Sequence, residues 1–133
     1  MSRRSERRAA AFLLYQRDLM DGDFEPLYMA YTRDNGEPVT EFTRRQAEGV
    51  WNDRARLDSA IDAAAQGWTS ERMAVLERNI LRLAVWEMKD GETPAAVAID
   101  EAVSLAKRYA SPEAATLVNG ILGRIARTEG VGT

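Results

Sequence analysis

The chain contains no cysteine and no histidine in 133 residues. Without cysteine there can be no disulfide, no thiolate nucleophile and no cysteine-ligated zinc. Without histidine, the commonest general base near neutral pH and the commonest transition-metal ligand are missing. A helical di-iron site built on Glu-x-x-His is excluded for the same reason. No glycine-rich phosphate loop or nucleophile elbow is present either. The reading is therefore a protein that is not an enzyme and has no cofactor or metal site. No apolar run approaches the ~20 residues of a membrane span, and the N-terminus lacks the apolar stretch of a secretory signal. The expectation is a soluble, cytoplasmic protein without a membrane partner.

What is present is helical periodicity. Hydrophobic residues make up 45% of the chain, enough to rule out disorder and to build one core. Net charge is −3, but residues 1–17 carry five arginines against one glutamate, so the acidic surplus lies in the remainder. A basic arm on an acidic body points to a local anion site rather than a generally adhesive surface. Ser2 to Met20 reads as a helix. Arg3, Arg4, Arg7 and Arg8 fall within an arc of about 140° at 100° per residue. A planar guanidinium binds phosphate bidentately and stacks on bases, so these four form a candidate anion site; the alternative is a solvated basic helix end or a disordered one. Ala9, Ala10, Phe12, Leu13, Leu14 and Leu19 make the rest of the helix apolar nearly all round, so it should be sandwiched.

Phe24, Leu27, Tyr28 and Tyr31 follow helical spacing with Pro26 in the first turn, and 33–39 reads as a loop. Thr40 caps a long helix over 41–66, with Val50, Leu57, Ile61 and Ala64 as its buried seam. Its charges, Arg44 and Arg45 among them, read as a solvated face. A helix starting at Thr69 or Ser70 and running to Lys89 is dense in Ile80, Leu81, Leu83, Val85, Trp86 and Met88, and should be central. Arg82 and Glu87 inside it must find partners. Asp90-Gly91-Glu92 stops it.

Thr93-Pro94 then starts a helix with an inward stripe of Ile99, Ala102, Val103, Ala106 and Ala110. Ser111-Pro112-Glu113 starts the last helix, whose inward face is Leu117, Val118, Ile121, Leu122 and Ile125. Asn119-Gly120 lies within it. A mid-helix glycine costs about 1 kcal/mol against alanine, so Gly120 is expected to mark a close helix–helix contact, with the Asn119 amide bonded across it. The fold class is all-α, six to seven helices in two packed sub-bundles. Residues 1–128 form one domain and 129–133 a flexible glycine-rich tail.

The segment Ala98-Ile99-Asp100-Glu101-Ala102-Val103, with Leu105-Ala106-Lys107 and then Val118-Asn119-Gly120-Ile121-Leu122, resembles the C-terminal half of the NusB family of bacterial transcription antitermination factors. Leu14-Tyr15 behind an arginine-rich start, and Glu77-Arg78 ahead of Leu81-Arg82, are similar to the rest of its pattern. The sequence departs from that pattern at Asp100, where the family usually has asparagine, and at Leu117, where an aromatic is common. In the family the arginine-rich start contacts single-stranded RNA, so the resemblance implies RNA binding at Arg3, Arg4 and Arg7, and at Arg8, although Arg8 falls where the family often carries an acid. The resemblance implies an RNA-binding antitermination factor. Its expected partners are NusE, which is also a small-subunit ribosomal protein, single-stranded boxA RNA and the transcription elongation complex. Together these would promote processive transcription of ribosomal RNA operons. It further implies an RNA or partner surface at Tyr15, Glu77, Arg78, Glu113 and Leu117, structural motif positions at Glu101, Lys107, Asn119 and Gly120, and the possibility of a homodimer. The competing reading is a helical protein-interaction module whose arginine-rich helix binds an acidic partner.

Overall fold

The computed structural model describes residues 2–67, 72–90 and 93–129. Thr69, Ser70, Gly91, Glu92 and residues 130–133, to which start, stop and tail signals were assigned, lie outside the described residues. Among the described residues there are seven helices and no strand: α1 (Arg3–Leu19), α2 (Glu25–Asn35), α3 (Glu41–Asn52), α4 (Arg54–Ala64), α5 (Val75–Asp90), α6 (Ala95–Tyr109) and α7 (Pro112–Glu129). No helix among them is long and apolar enough to cross a membrane.

The central helix is α5, as its apolar density predicts. Ile80, Leu81, Leu83, Ala84, Val85 and Met88 are all buried. It packs against α1 and α3 on one side and against α4, α6 and α7 on the other. Two sub-bundles therefore share one helix and one continuous core. On α1, the face of Ala10, Leu13 and Leu14 is sealed, while Leu19 at the far end is 57% exposed.

Hydroxyl caps close three helix starts, two of them, at Thr40 and Ser111, expected from the sequence. The Ser2 hydroxyl accepts from the Ser5 amide, Thr40 from that of Thr43 and Ser111 from that of Ala114, each at 3.0–3.2 Å. At α6 the start is one residue later than predicted. Pro94, extended at φ −58° and ψ 145°, occupies the capping position itself, and α6 begins at Ala95. The α6 stripe is Ala95, Ala98, Ala102 and Ala106, with Ile99 and Val103 half-buried and Ala110 exposed. Alanine down the whole seam lets α6 lie close against α7.

The predicted long helix over 41–66 is two helices. Asp53, at φ −100° and ψ 6°, leaves helical geometry, and its amide donates to the Gly49 and Val50 carbonyls. Its carboxylate pairs with Arg56 at 2.5 Å, in the first turn of α4. The break does not alter which residues are buried: Val50, Leu57, Ile61 and Ala64 still line one core. The loop expected from Arg33 begins only at Gly36, whose left-handed φ of 76° ends α2.

The close contact expected at Gly120 is absent. Asn119 and Gly120 are exposed, and a Cβ added to Gly120 would meet nothing within 4 Å. The tight approach is at Gly49 on α3, where a Cβ would come within 2.6 Å of the Trp86 indole on α5. Trp86 is half-buried between helices and cannot swing aside as a flexible chain end would. Gly49→Ala should therefore lower the urea midpoint, by about 1–3 kcal/mol of overpacking. Gly120→Ala should raise it, by up to about 1 kcal/mol of helix propensity. Equal midpoints for the two variants would contradict this assignment.

Candidate nucleic-acid interface

The four arginines of α1 share one arc of the helix, yet the structure gives them different tasks. Arg7 is only 12% exposed. Its Nε donates to both oxygens of Glu87 at 2.8 and 3.2 Å, and its Nη2 to the Thr93 hydroxyl at 3.3 Å. Glu87 is buried in α5 and also accepts from the Gln46 amide of α3. Arg7 is thus a clamp joining α1 to α5, and it offers little to a ligand.

Arg3 and Arg4 remain accessible, with side chains 61% and 68% exposed. Arg3 donates to Glu6 at 2.8 Å and lies 3.9 Å from the Phe42 ring centroid. Arg45 approaches the same ring at 5.7 Å. The predicted solvated face of α3 thereby extends the cationic surface around Phe42. Arg4 reaches across to Glu101 of α6 at 3.2–3.4 Å, and that carboxylate raises the Arg4 pKa through its hydrogen bond and its charge. Among the described residues Arg8 alone of the four makes no ion pair, hydrogen bond or ring contact.

Glu6 fixes the start of α1. Its carboxylate accepts from the Thr40 hydroxyl at 2.6 Å, and its carbonyl from the Thr43 hydroxyl at 3.1 Å. Burial pushes the Glu6 carboxyl up, but the hydrogen bonds from Thr40 and Arg3 outweigh it and hold the pKa below its usual value. The first turn of α1 is therefore held on the N-terminus of α3, so the exposed guanidinium groups rise from a fixed base.

The far end of α1 is fixed by Asp18. Its Oδ2 accepts from Arg78 at 2.7 Å, Asn79 at 3.0 Å and Arg82 at 2.9 Å. Arg82 is also bidentate on Asp58 of α4, at 2.6 and 2.7 Å. Burial pushes Asp18 up, yet these donors and the two guanidinium charges hold it below the usual carboxylate range. Arg78, read as a surface position, is part of this network. Asp18 itself carried no signal in the sequence, because its partners lie on α5.

Between these fixed ends lies an open groove of about 500 Å³, with Phe12, Tyr15, Leu19, Leu76, Glu77 and Tyr109 among its walls. Phe12 and Tyr109 meet edge to face, ring centroids 5.0 Å apart. The structure thus brings predicted Tyr15 and Glu77 together. Ser111 is a further wall residue, and Glu113 is exposed at the adjoining start of α7. Leu117 is half-buried against the core and Lys107 is exposed on α6, both outside the groove walls. Phe12 and Tyr109 were not singled out as site residues. Phe12 follows the arginines directly and Tyr109 ends α6, but only the packing of α6 on α1 makes them neighbours.

Seven helices among the described residues, with a cationic turn and an aromatic groove on one of them, present the surfaces of a binding protein. The chain matches the NusB family over residues 4–127 and belongs to it. It is 41% identical to the transcription antitermination protein NusB of Rubrobacter xylanophilus, over 92% of this chain and 88% of that protein. It is 39% identical to the Beutenbergia cavernae protein of the same name, over 95% and 90%. Among solved structures, T. maritima NusB superposes with a TM-score of 0.85 at 34% identity, covering 96% of this chain and 92% of that one. The crystal structure of antitermination factors NusB and NusE in complex with dsRNA gives 0.84 at 25% identity, covering 95% and 96%. The family consists of antitermination factors and not of enzymes.

Arg7→Ala should destabilise the fold by about 3–5 kcal/mol, because it strands the Glu87 carboxylate without its counter-charge. Glutamate at position 7 should be worse still, setting two carboxylates against each other. Asp18→Asn should likewise lower the urea midpoint at pH 7. A depressed folded pKa contributes stability that is complete above the unfolded value and vanishes as pH falls through the folded one. The gap between variant and wild type should therefore close only in acid, below about pH 4. A gap independent of pH down to denaturation would assign Asp18 no charge role.

Proposed function

We propose that this chain is an RNA-binding transcription antitermination factor. With NusE, a small-subunit ribosomal protein, it recognises boxA RNA and supports processive transcription of ribosomal RNA operons by the cytoplasmic elongation complex. Family membership supports the first part, and the related NusB–NusE–RNA complex supports the pairing of partner and RNA. The observation that carries the reading is that α1 holds both kinds of surface. Arg3 and Arg4 stand exposed at its start, and the aromatic groove opens along its second half. At 1.5 Å rise per residue the two lie within about 25 Å, so RNA on one and a protein on the other would touch.

Tyr15, Glu77 and Leu19 are the positions assigned to NusE. Leu19 and Met20 are among the few large apolar side chains left exposed, 57% and 51%, and a docked protein would cover them. The RNA strand is assigned to Arg3, Arg4 and Arg8, with Arg45 beside Phe42. Arg7 acts by holding α1 in place.

Anisotropy titration of a fluorescent single-stranded boxA RNA, with and without NusE at one salt concentration, tests the proposal. Three phosphate contacts to a single strand give an expected log–log salt slope of about −2. Replacing Arg3 and Arg4 together with glutamate should abolish binding and leave the helical circular dichroism unchanged. NusE should tighten RNA binding, and RNA should tighten NusE binding by the same factor. Equal dissociation constants with and without NusE would refute joint loading. Failure of RNA to bind, with retention on an acidic peptide, would favour the plain protein-interaction module.

A further inference from the structure

A second concavity, of about 260 Å³, lies on the other side of the Phe12–Tyr109 pair. Arg8, Phe12, Gln16, Tyr31, Asn35 and Tyr109 line it, and no carboxylate is among its wall residues. Three properties set it apart from an ordinary surface dimple. Arg8 is a cation without any partner among the described residues. Tyr31 and Tyr109 supply rings from two helices, and Tyr109 is braced by Phe12 at 88° so that it cannot turn freely. Among the described residues exposed Gln16 makes no hydrogen bond, and Asn35 uses only its Nδ2, donated to the Tyr31 carbonyl at 2.9 Å. Its Oδ1 remains an acceptor.

A cation, rings and accessible amides are the three elements by which proteins hold a splayed-out base of single-stranded RNA: phosphate on the cation, π-face on the ring, base edge on the amide. A run of acidic side chains would use the cation but carries no flat π-face to stack on the rings. The volume falls just below the roughly 300–1,000 Å³ of sites that enclose whole ligands, and suits one base with its phosphate outside. Arg108, whose guanidinium lies 5.3 Å from the Tyr109 ring, adds a second cation beside the same platform.

We infer that this pocket takes a single unstacked nucleotide of the bound RNA, its base against Tyr31 or Tyr109 and its phosphate on Arg8. The inference rests on the RNA-binding reading above and extends it to a position that the resemblance did not support, since Arg8 falls where relatives often carry an acid.

The test uses the full chain and a fluorescein-labelled 12-nucleotide single-stranded RNA. Arg8 has no partner to lose, so Arg8→Ala should fold normally. It should bind about tenfold more weakly, the loss of one charge-assisted contact, with a salt slope smaller in magnitude by about 0.7. Arg127→Ala, exposed at the end of α7, is the control and should bind as wild type does. Irradiation of the wild-type complex at 254 nm, followed by peptide mapping, should place a nucleotide adduct on Tyr31 or Tyr109. Wild-type affinity in Arg8→Ala, or adducts confined to other residues, would overturn the pocket and leave the RNA reading standing. No binding by the wild type would overturn both.

Discussion

The buried charge of Arg82 is the constraint to which the rest of the structure answers. It sits on the central helix with 5% of its surface exposed, and a guanidinium so placed must be matched or the fold is lost. Asp18 from α1 and Asp58 from α4 match it, and burial, which alone would lower the Arg82 pKa, is outweighed by hydrogen bonds and charge from Asp58 and by Asp18. Three helices are thereby set in one relative position. Glu87, five residues along α5, repeats the logic with Arg7 of α1 and Gln46 of α3. Apolar packing brings the helices together, but pairs of this kind admit few alternatives to the observed arrangement, since any other leaves a charge stranded.

That rigidity is what gives α1 two uses. Its inner face supplies Ala10, Leu13 and Leu14 to the core, and its polar positions divide between anchors and contacts. Glu6, Arg7 and Asp18 are anchors; Arg3, Arg4 and Arg8 are available to a ligand. The aromatic residues follow the same division. Tyr28 is buried and donates to Glu48, whereas Tyr15, Tyr31 and Tyr109 line open concavities. On the proposed function, one helix stands at the meeting point of an RNA strand and a partner protein without moving.

Much of this was legible in the sequence, for reasons that are local. Thr40 and Ser111 announce their helices because a cap needs only its own next three residues. The apolar density of α5 reveals the central helix because burial on all sides leaves no room for polar spacing. The need of Arg82 and Glu87 for partners could be stated, but not who the partners were, since Asp18, Asp58 and Arg7 approach only when helices distant in the chain pack. The same gap explains Arg7, whose place in the arginine arc looks like that of a ligand contact until Glu87 is set opposite it. It also explains the glycines. Gly120 looks costly in one dimension and proves to be exposed, while Gly49 looks unremarkable and proves to be the position that Trp86 requires. The break at Asp53 leaves the apolar periodicity of α3 and α4 in phase, so no pattern could betray it.

The pairing of Arg7 with Glu87 has a consequence for genetics. On the proposed function, a screen for lost antitermination would return substitutions at Arg7 beside those at Arg3 and Arg4, and the three would look alike by phenotype and by position on the helix. The first would nonetheless act by depleting the folded protein from the cell. Such an allele should be temperature-sensitive, should yield less soluble protein, and should be suppressed by stabilising changes far from any RNA.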